Sequence, residues 1–488
     1  MNRPPSTVDQ NAKGINCPPK APKAQKIMQK SQQFILLFLI LGCLAAVIDL
    51  EDLPNYADQP IPNYIDKDNT PPNNELSDAR AVLGRVLFYD KQLSANNTVS
   101  CATCHIQAYA FSDTAVASVG VNGTTGRHAM RLVNARFSTE VRAFWDERAA
   151  NLEEQVTQPI QDHAEMGYSG EDGDPGLEEL MEKMAQLDYY QRLFEFVYGD
   201  AEITEERMQL ALAQFVRSIQ SFDAKFDAGR AQVPNDGTPF PNFTHQENQG
   251  KRLFMTPPQV NAQGIRVDGG AGCAGCHAPP EFDIRATSRN NGVIASLDGG
   301  IDLTNTRSPS LRDLVNPDGE LNGPMMHNGA FHSLLEVIDH YDSIPRANPQ
   351  LDNRLRPGGN LLRLRLSDEE KAQLEAFLLT LTGSQMYTDE RWSDPFDGDG
   401  LVILPDVTTS TMDLLVEKRV KIYPNPVQDQ LRVERPEALA DAAISVYNVQ
   451  GQLLLHDSTP RTSLDVSGLQ SGCYFLLVGE QRLTFIKR

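Results

Sequence analysis

Two copies of one short pattern, Cys101-Ala102-Thr103-Cys104-His105 and Cys273-Ala274-Gly275-Cys276-His277, constrain this chain more than any other feature. Two thiols three positions apart share one side of a helical turn, where each can add across a vinyl group of a haem. The His that follows then points its ring at the iron from below. Covalent tethering holds a large, rigid cofactor without a deep preformed pocket, and irregular backbone is expected where the chain wraps it. The rival reading, two CxxC pairs sharing one structural zinc, leaves the His after each pair unexplained. The motifs therefore predict two covalently bound haem c groups. Cys101, Cys104, Cys273 and Cys276 attach them, and His105 and His277 ligate the irons.

The remaining thiols are Cys17, Cys43 and Cys473, which leave no even set for a disulfide framework. The apolar run 34–48 follows Lys26 and Lys30 and is too short for a comfortable membrane span. It predicts a secretory signal peptide over 1–48, with Met28 as an alternative start. Leu41-Gly42-Cys43 faintly resembles a lipoprotein box, but the residues after Cys43 stay apolar, which favours soluble export to the periplasm, cell surface or medium. Export agrees with haem attachment, which in bacteria occurs outside the cytoplasm. The formal net charge of −21 argues against a nucleic-acid partner and is compatible with a basic redox partner.

Periodicity predicts helices over 77–89, 149–158, 176–187, 188–198 and 204–228 in the first half. The last of these carries Met208, Leu212, Phe215 and Ile219 at three-to-four spacing. In the second half, helices are expected over 245–255, 333–341 and 367–381. Each half thus runs through a helix, a CxxCH, irregular loops and closing helices. Asp397-Gly398-Asp399-Gly400 lacks the Glu that an EF-hand loop needs and reads as part of a linker. Short alternating runs at 420–423, 431–434, 443–447, 452–455 and 473–478 predict strands. The expected fold class is mainly α: two cytochrome-c-like haem domains, at 49–236 and 237–395, a linker at 396–417, and a small all-β sandwich at 418–488.

Further stretches carry a resemblance. Phe144-Trp145-Asp146-Glu147-Arg148-Ala149-Ala150-Asn151-Leu152-Glu153-Glu154-Gln155, then Glu165-Met166, then Pro324-Met325-Met326-His327-Asn328-Gly329 with Ser333-Leu334, resemble the bacterial di-haem cytochrome c peroxidase and MauG family. The tail, from Tyr423-Pro424-Asn425-Pro426-Val427 through Ser471-Gly472-Cys473-Tyr474-Phe475-Leu476 to Lys487-Arg488, resembles a type A sorting domain of the type IX secretion system. The first resemblance implies a peroxidatic haem in the 49–236 domain and an electron-transfer haem in the 237–395 domain. It makes Glu165 the catalytic acid–base that moves a proton during cleavage of hydrogen peroxide. It also makes Trp145 a catalytic relay between the haems and places His327 in hydrogen-bonding range of the second haem. A calcium ion between the haems is implied too, with carbonyls of Asn322 and Pro324 as ligands; the family's Asn ligand position falls at His128, a poor calcium ligand.

Two departures from the classical peroxidases stand out. The loop position of their blocking His is occupied by Val121, which cannot ligate iron, so the first haem is expected to be open when fully oxidised; His128 is the one nearby His that could swing in. Where they place a Met ligand, Tyr341 stands, as in MauG, with Met325, Met326 and His340 as rival ligands to the second iron. A phenolate favours ferric or high-valent iron relative to a thioether. The leading expectation is a di-haem peroxidase that takes electrons from a small cytochrome or cupredoxin and is exported with the type IX machinery. The alternatives are a MauG-like oxidase of a protein substrate and a non-enzymatic di-haem electron carrier. The resemblance leaves a homodimer open.

Overall fold

The computed structural model describes residues 48, 50, 52–396, 420–423, 426–435, 439, 442–448, 452–457, 462–478 and 481–488. The signal-peptide reading, apart from Ile48, and the linker reading, apart from Phe396, lie outside these residues, as do Cys17 and Cys43. The chain divides into two units, Met1–Leu404 and Pro405–Arg488.

The first unit contains two apolar cores. Around the first lie α1 (Asp78–Tyr89), α2 (Cys101–Cys104), α3 (Leu152–Gln155), α4 (Leu177–Met184), α5 (Asp188–Tyr198) and α6 (Glu205–Ser218). Around the second lie α7 (Lys225–Arg230), α8 (His245–Met255), α9 (Leu334–Asp342) and α10 (Asp368–Leu379). Two strand pairs accompany the latter: β1 (Pro258–Val260) with β2 (Arg266–Gly269), and β3 (His277–Ala278) with β4 (Asp283–Ile284).

Each core is built on a helix crossing made possible by a glycine. In α1, a Cβ at Gly84 would lie 2.0 Å from the Ala211 carbonyl oxygen of α6. In α8, a Cβ at Gly250 would lie 1.8 Å from the Gln373 carbonyl oxygen of α10. No other residue lets the backbones approach so closely. Phe88, Phe111, Tyr190, Phe194 and Phe215 fill the first core; Phe226, Phe254, Phe282 and Phe377 fill the second. Burial of each such ring contributes about 1.5–3 kcal/mol. Side-chain caps start the long helices: Ser77 accepts from the Arg80 amide, Thr204 from Arg207, Thr244 from Glu247 and Ser367 from Glu370.

The expected helix over 204–228 is two helices. α6 stops at Ser218, whose hydroxyl donates to the Phe215 carbonyl at 2.6 Å. The next residues turn to the buried Asn134 instead: its amide donates to the Ile219 carbonyl at 3.0 Å, and its side chain accepts from Ser221 N at 2.8 Å. The chain crosses between cores here, since Ile219 belongs to the first and Ala224 and Phe226 to the second. It also returns: Met386 and Trp392 pack in the first core, with the Trp392 indole donating to Ser218 Oγ at 3.1 Å. The two cores therefore do not divide the sequence into two unbroken blocks. Over 149–158, only Leu152–Gln155 is α-helical.

In the second unit, β5 (Lys421–Tyr423), β6 (Gln430–Glu434), β7 (Ile444–Asn448), β8 (Leu453–Asp457), β9 (Ser463–Asp465), β10 (Gly472–Val478) and β11 (Gln481–Lys487) form two antiparallel sheets. Their orders are β11-β10-β7-β8 and β5-β6-β9. Leu431, Val433, Val446, Leu476 and Phe485 share one core drawn from both sheets. β9 and β11 were not expected; β11 shows only Leu483 and Phe485 as an alternating pair between polar ends.

Candidate functional site

The first CxxCH is a single capped helical turn. Thr103 Oγ1 accepts from the Ser100 amide at 3.0 Å, and the His105 amide donates to the Cys101 carbonyl at 2.8 Å. The His105 Nδ1–H donates to the Phe111 carbonyl at 2.9 Å. The second motif is a tighter 3₁₀ turn over Cys273–Gly275, leading into β3, where His277 pairs with Ile284. The buried His277 Nδ1 has no hydrogen-bond partner among the described residues. Burial holds both imidazoles below their usual pKa, His277 at about 4, so both are neutral as metal ligands must be. All four thiols are unbridged.

Each motif opens onto its own cavity. The first, of about 870 Å³, is lined by Cys101, Cys104, His105, Trp145, Arg148 and Glu165 among others. The second, of about 500 Å³, is lined by Cys273, Cys276, His277, Met325, Met326 and Tyr341 among others. Among the described residues, no three His, Cys, Asp or Glu side chains converge as a metal-binding group. The two CxxC pairs thus line different cavities, against the shared-zinc reading. Two free thiols and a neutral His at the edge of each cavity fit one covalently attached haem apiece.

Glu165 stands on the wall of the first cavity. Its amide is pinned to Asp162 Oδ1 at 3.0 Å, while no hydrogen bond or ion pair reaches its carboxylate among the described residues. Burial, with the Asp162 charge adding to it and Arg148 opposing it, pushes the carboxyl up to about 7. Arg148 is held over the Phe144 ring, 3.4 Å from its centroid, and pairs with Asp146 at 3.0 Å.

The loop that carries Val121 is docked on the backbone that carries Glu165. Val121 N donates to the Glu165 carbonyl at 2.9 Å and Asn122 N to the Ala164 carbonyl at 3.3 Å. A Cβ at Gly120 would lie 2.1 Å from the Ala164 carbonyl oxygen, so Gly120 is required by space. Nothing local in the sequence distinguishes Gly120 from Gly123 and Gly126 of the same loop. The Val121 side chain packs on the first core and is not on the cavity wall.

His128 does line the cavity, but both ring nitrogens are engaged, with the Ala115 carbonyl at 3.0 Å and Ser112 Oγ at 3.2 Å. Burial drops its pKa to about 4. Swinging in toward the first iron would break both bonds.

Trp145 lines both cavities. Its indole donates to the His128 carbonyl at 2.8 Å, and its own carbonyl accepts from Thr306 N at 2.9 Å and Arg307 N at 3.0 Å. His327 lies behind it, edge-on with ring centroids 6.3 Å apart, and is not on either cavity wall. His327 Nδ1 meets Asn305 at 2.6 Å, while its buried Nε2 faces Asp302 Oδ2 at 3.7 Å and makes no hydrogen bond among the described residues.

Of the rival ligands at the second cavity, Tyr341, Met325 and Met326 reach its wall. His340 does not: its Nε2 bonds the Asn291 carbonyl at 2.9 Å. Burial raises the Tyr341 hydroxyl well above its usual pKa, with the nearby Cys276 adding to the shift. Asn322 is fully buried; its Nδ2 donates to the Asp313 carbonyl and to Tyr387 Oη, both at 2.8 Å, and its Oδ1 has no partner. Pro324 lies on the second cavity wall.

The family model for di-haem cytochrome c peroxidase matches residues 78–232, and that for a secretion system C-terminal sorting domain matches 421–488. The methylamine utilization protein MauG of Methylorubrum extorquens is 30% identical over 322 residues, covering 64% of this chain and 80% of that protein. Cytochrome c551 peroxidase of Nitrosomonas europaea is 27% identical over 365 residues, 72% of this chain and 91% of the relative. Among solved structures, a MauG-like protein associated with microbial copper homeostasis superposes with a TM-score of 0.53 at 27% identity, covering 69% of this chain and 98% of the other.

Proposed function

Because the chain belongs to the di-haem cytochrome c peroxidase and MauG family and ends in a type IX secretion-sorting domain, we propose that it is an exported di-haem peroxidase that reduces hydrogen peroxide to water. The observation that carries this reading is Glu165: a carboxylate on the wall of the first cavity, unpaired and poised near neutrality. Cys101, Cys104 and His105 would hold one haem c, which would supply an iron site for peroxide, and Cys273, Cys276 and His277 would hold a second, which would supply an electron reservoir.

Glu165, deprotonated, accepts the proton of the near peroxide oxygen and returns it to the departing oxygen. A pKa near the working pH suits both halves of that transfer. The backbone bonds from Val121 and Asn122 hold the segment bearing Glu165 in place. Trp145, on both cavity walls, offers the aromatic bridge by which two electrons pass from the second site to the first. Those electrons come from a small cytochrome or cupredoxin. The two cores, one per CxxCH, correspond in this reading to the two cytochrome-c-like domains. Calcium bound by carbonyls of Asn322 and Pro324 would tie the segment 322–324 beside His128.

Tyr341 favours a second reading, a MauG-like oxidase that withdraws electrons from a protein substrate. Tyr341 is the phenol on the second cavity wall. One experiment weighs both readings. Peroxide consumption by the holoprotein is followed with a reduced small cytochrome as donor, beside low-temperature EPR of the oxidised state. Rapid turnover with one high-spin and one low-spin ferric signal supports the peroxidase. Donor-independent oxidation of added protein supports the second reading. Two low-spin signals without peroxide reactivity would overturn both in favour of an electron carrier.

A further inference from the structure

We infer that Arg131, with Arg307 beside it, is the shared anion anchor of the two cavities, its guanidinium holding ionised haem propionates from both sides of the wall that separates them. The inference rests on the reading of the two cavities as haem sites. Arg131 and Arg307 line both cavities. Arg131 is 9% exposed. Among the described residues, its Nη2 donates to the Ser310 carbonyl at 3.1 Å, its Nη1 reaches only the Met325 sulfur at 3.9 Å, and its buried Nε has no hydrogen-bond partner.

Five rigid donors of a guanidinium match carboxylates in pairs, and an unpaired buried charge is strongly disfavoured. Elsewhere this chain obeys that rule. Arg312 meets both oxygens of Asp227 at 2.9 Å, Arg217 pairs with Glu153, and Arg354 with Asp352. Arg85, buried without a carboxylate, uses its donors on Ser393 and leaves none orphaned.

Arg131 has neither solution. Asp313, the carboxylate that acts on it electrostatically, makes no ion pair with it: its Oδ1 accepts from Gly383 N at 2.8 Å and Tyr387 Oη at 3.1 Å, and its buried Oδ2 has no hydrogen-bond partner among the described residues. Burial lowers Arg131 to about 10, which still leaves it protonated at neutral pH. Arg307 likewise makes no ion pair among the described residues and donates to the Glu140 and Arg142 carbonyls. Of the acids that line the first cavity, Asp302 is engaged with Arg127, Asp283 with Lys67, and Asp298 with Gly300 N. Two cations without a direct ion pair among the described residues, facing two cavities that would each receive a dianionic cofactor, point to those carboxylates as the missing partners.

The test uses the holoprotein, with haem counted first by its pyridine haemochrome and both midpoint potentials then measured by spectroelectrochemistry at pH 7. In Arg131→Gln, loss of the shared positive charge disfavours the electron-rich state, so both potentials move downward together. Arg131→Lys, which keeps the charge, recovers most of the shift at both haems. With two haems attached, an unmoved pair of potentials, a shift at one haem alone, or Lys behaving as Gln overturns the inference. If Arg131→Gln fails to retain two haems, the resonance Raman propionate-bending bands of Arg131→Lys decide: displacement at both haems supports the anchor, and bands identical to wild type overturn it. A wild-type protein with fewer than two haems would overturn the haem reading itself and with it this inference.

Discussion

The Trp145 indole donates to the His128 carbonyl at 2.8 Å, and His128 N in turn donates to the His327 carbonyl at 2.7 Å. This relay ties the one Trp common to both cavity walls to segments from both halves of the chain. Trp145→Phe removes the donor and leaves the His128 carbonyl short of a partner, a cost of about 1–3 kcal/mol. The expected result is a lower unfolding midpoint in urea together with slower oxidation of reduced donor in stopped flow, while both ferric EPR signals persist. An unchanged turnover would remove Trp145 from the electron path.

Glu165→Gln keeps the shape of the side chain and removes its basicity. The kcat/KM for hydrogen peroxide should fall by about 10²–10⁴-fold. Wild-type activity should decline as pH drops through about 7, the pH at which Glu165 becomes protonated. That acid limb should vanish in the variant. A limb that survives in Glu165→Gln would assign the titration to another group.

The same residue bears on stability, with a definite sign. Its folded pKa is raised above the unfolded value of about 4.3, so ionisation opposes folding. Stability at this position is full below about 4.3 and is lost as pH rises through about 7. Glu165→Gln should therefore raise Tm relative to wild type at pH 8 and leave it nearly unchanged at pH 4, as read by calorimetry at the two values.

Gly120→Ala places a methyl group 2.1 Å from the Ala164 carbonyl oxygen. The loop or the Glu165 segment must move, at about 1–3 kcal/mol. Peroxide turnover should drop with both haems still attached. Retained activity at full stability would mean that the docking of this loop does not position Glu165.

Replacing Cys101 and Cys104 by Ala should reduce covalent haem from two per chain to one, measured by pyridine haemochrome and by mass. Tyr341→Phe should leave that count at two and convert the EPR signal of the second haem if the phenol is its ligand. If the signal stays as it was, Met325 or Met326, the other candidates on that wall, takes the position.

The attachment turns were legible because their chemistry is local: thiols and His lie within five residues and need no partner from elsewhere. Glu165 was legible only through its surrounding motif, since nothing local marks one loop acid among many. The helix over 204–228 was misread because its periodicity continues past the point where Asn134, far upstream, captures the backbone at Ile219 and Ser221. Arg131 was invisible for a related reason. Its distinction is that it makes no direct ion pair among the described residues, and a sequence displays residues, not unmet partners.

The first cavity is walled by Asp283, Asp298, Asp302 and Arg307 as well as by the residues around Cys101. Asp283, Asp298, Asp302 and Arg307 belong to the second half of the chain, so the two halves build this chamber together. A recombinant that exchanged the second half for that of a distant relative would carry an intact first CxxCH and an altered chamber above it. Descent in this architecture should therefore preserve the halves as matched sets, and shuffling between lineages should be penalised at the seam rather than at either motif.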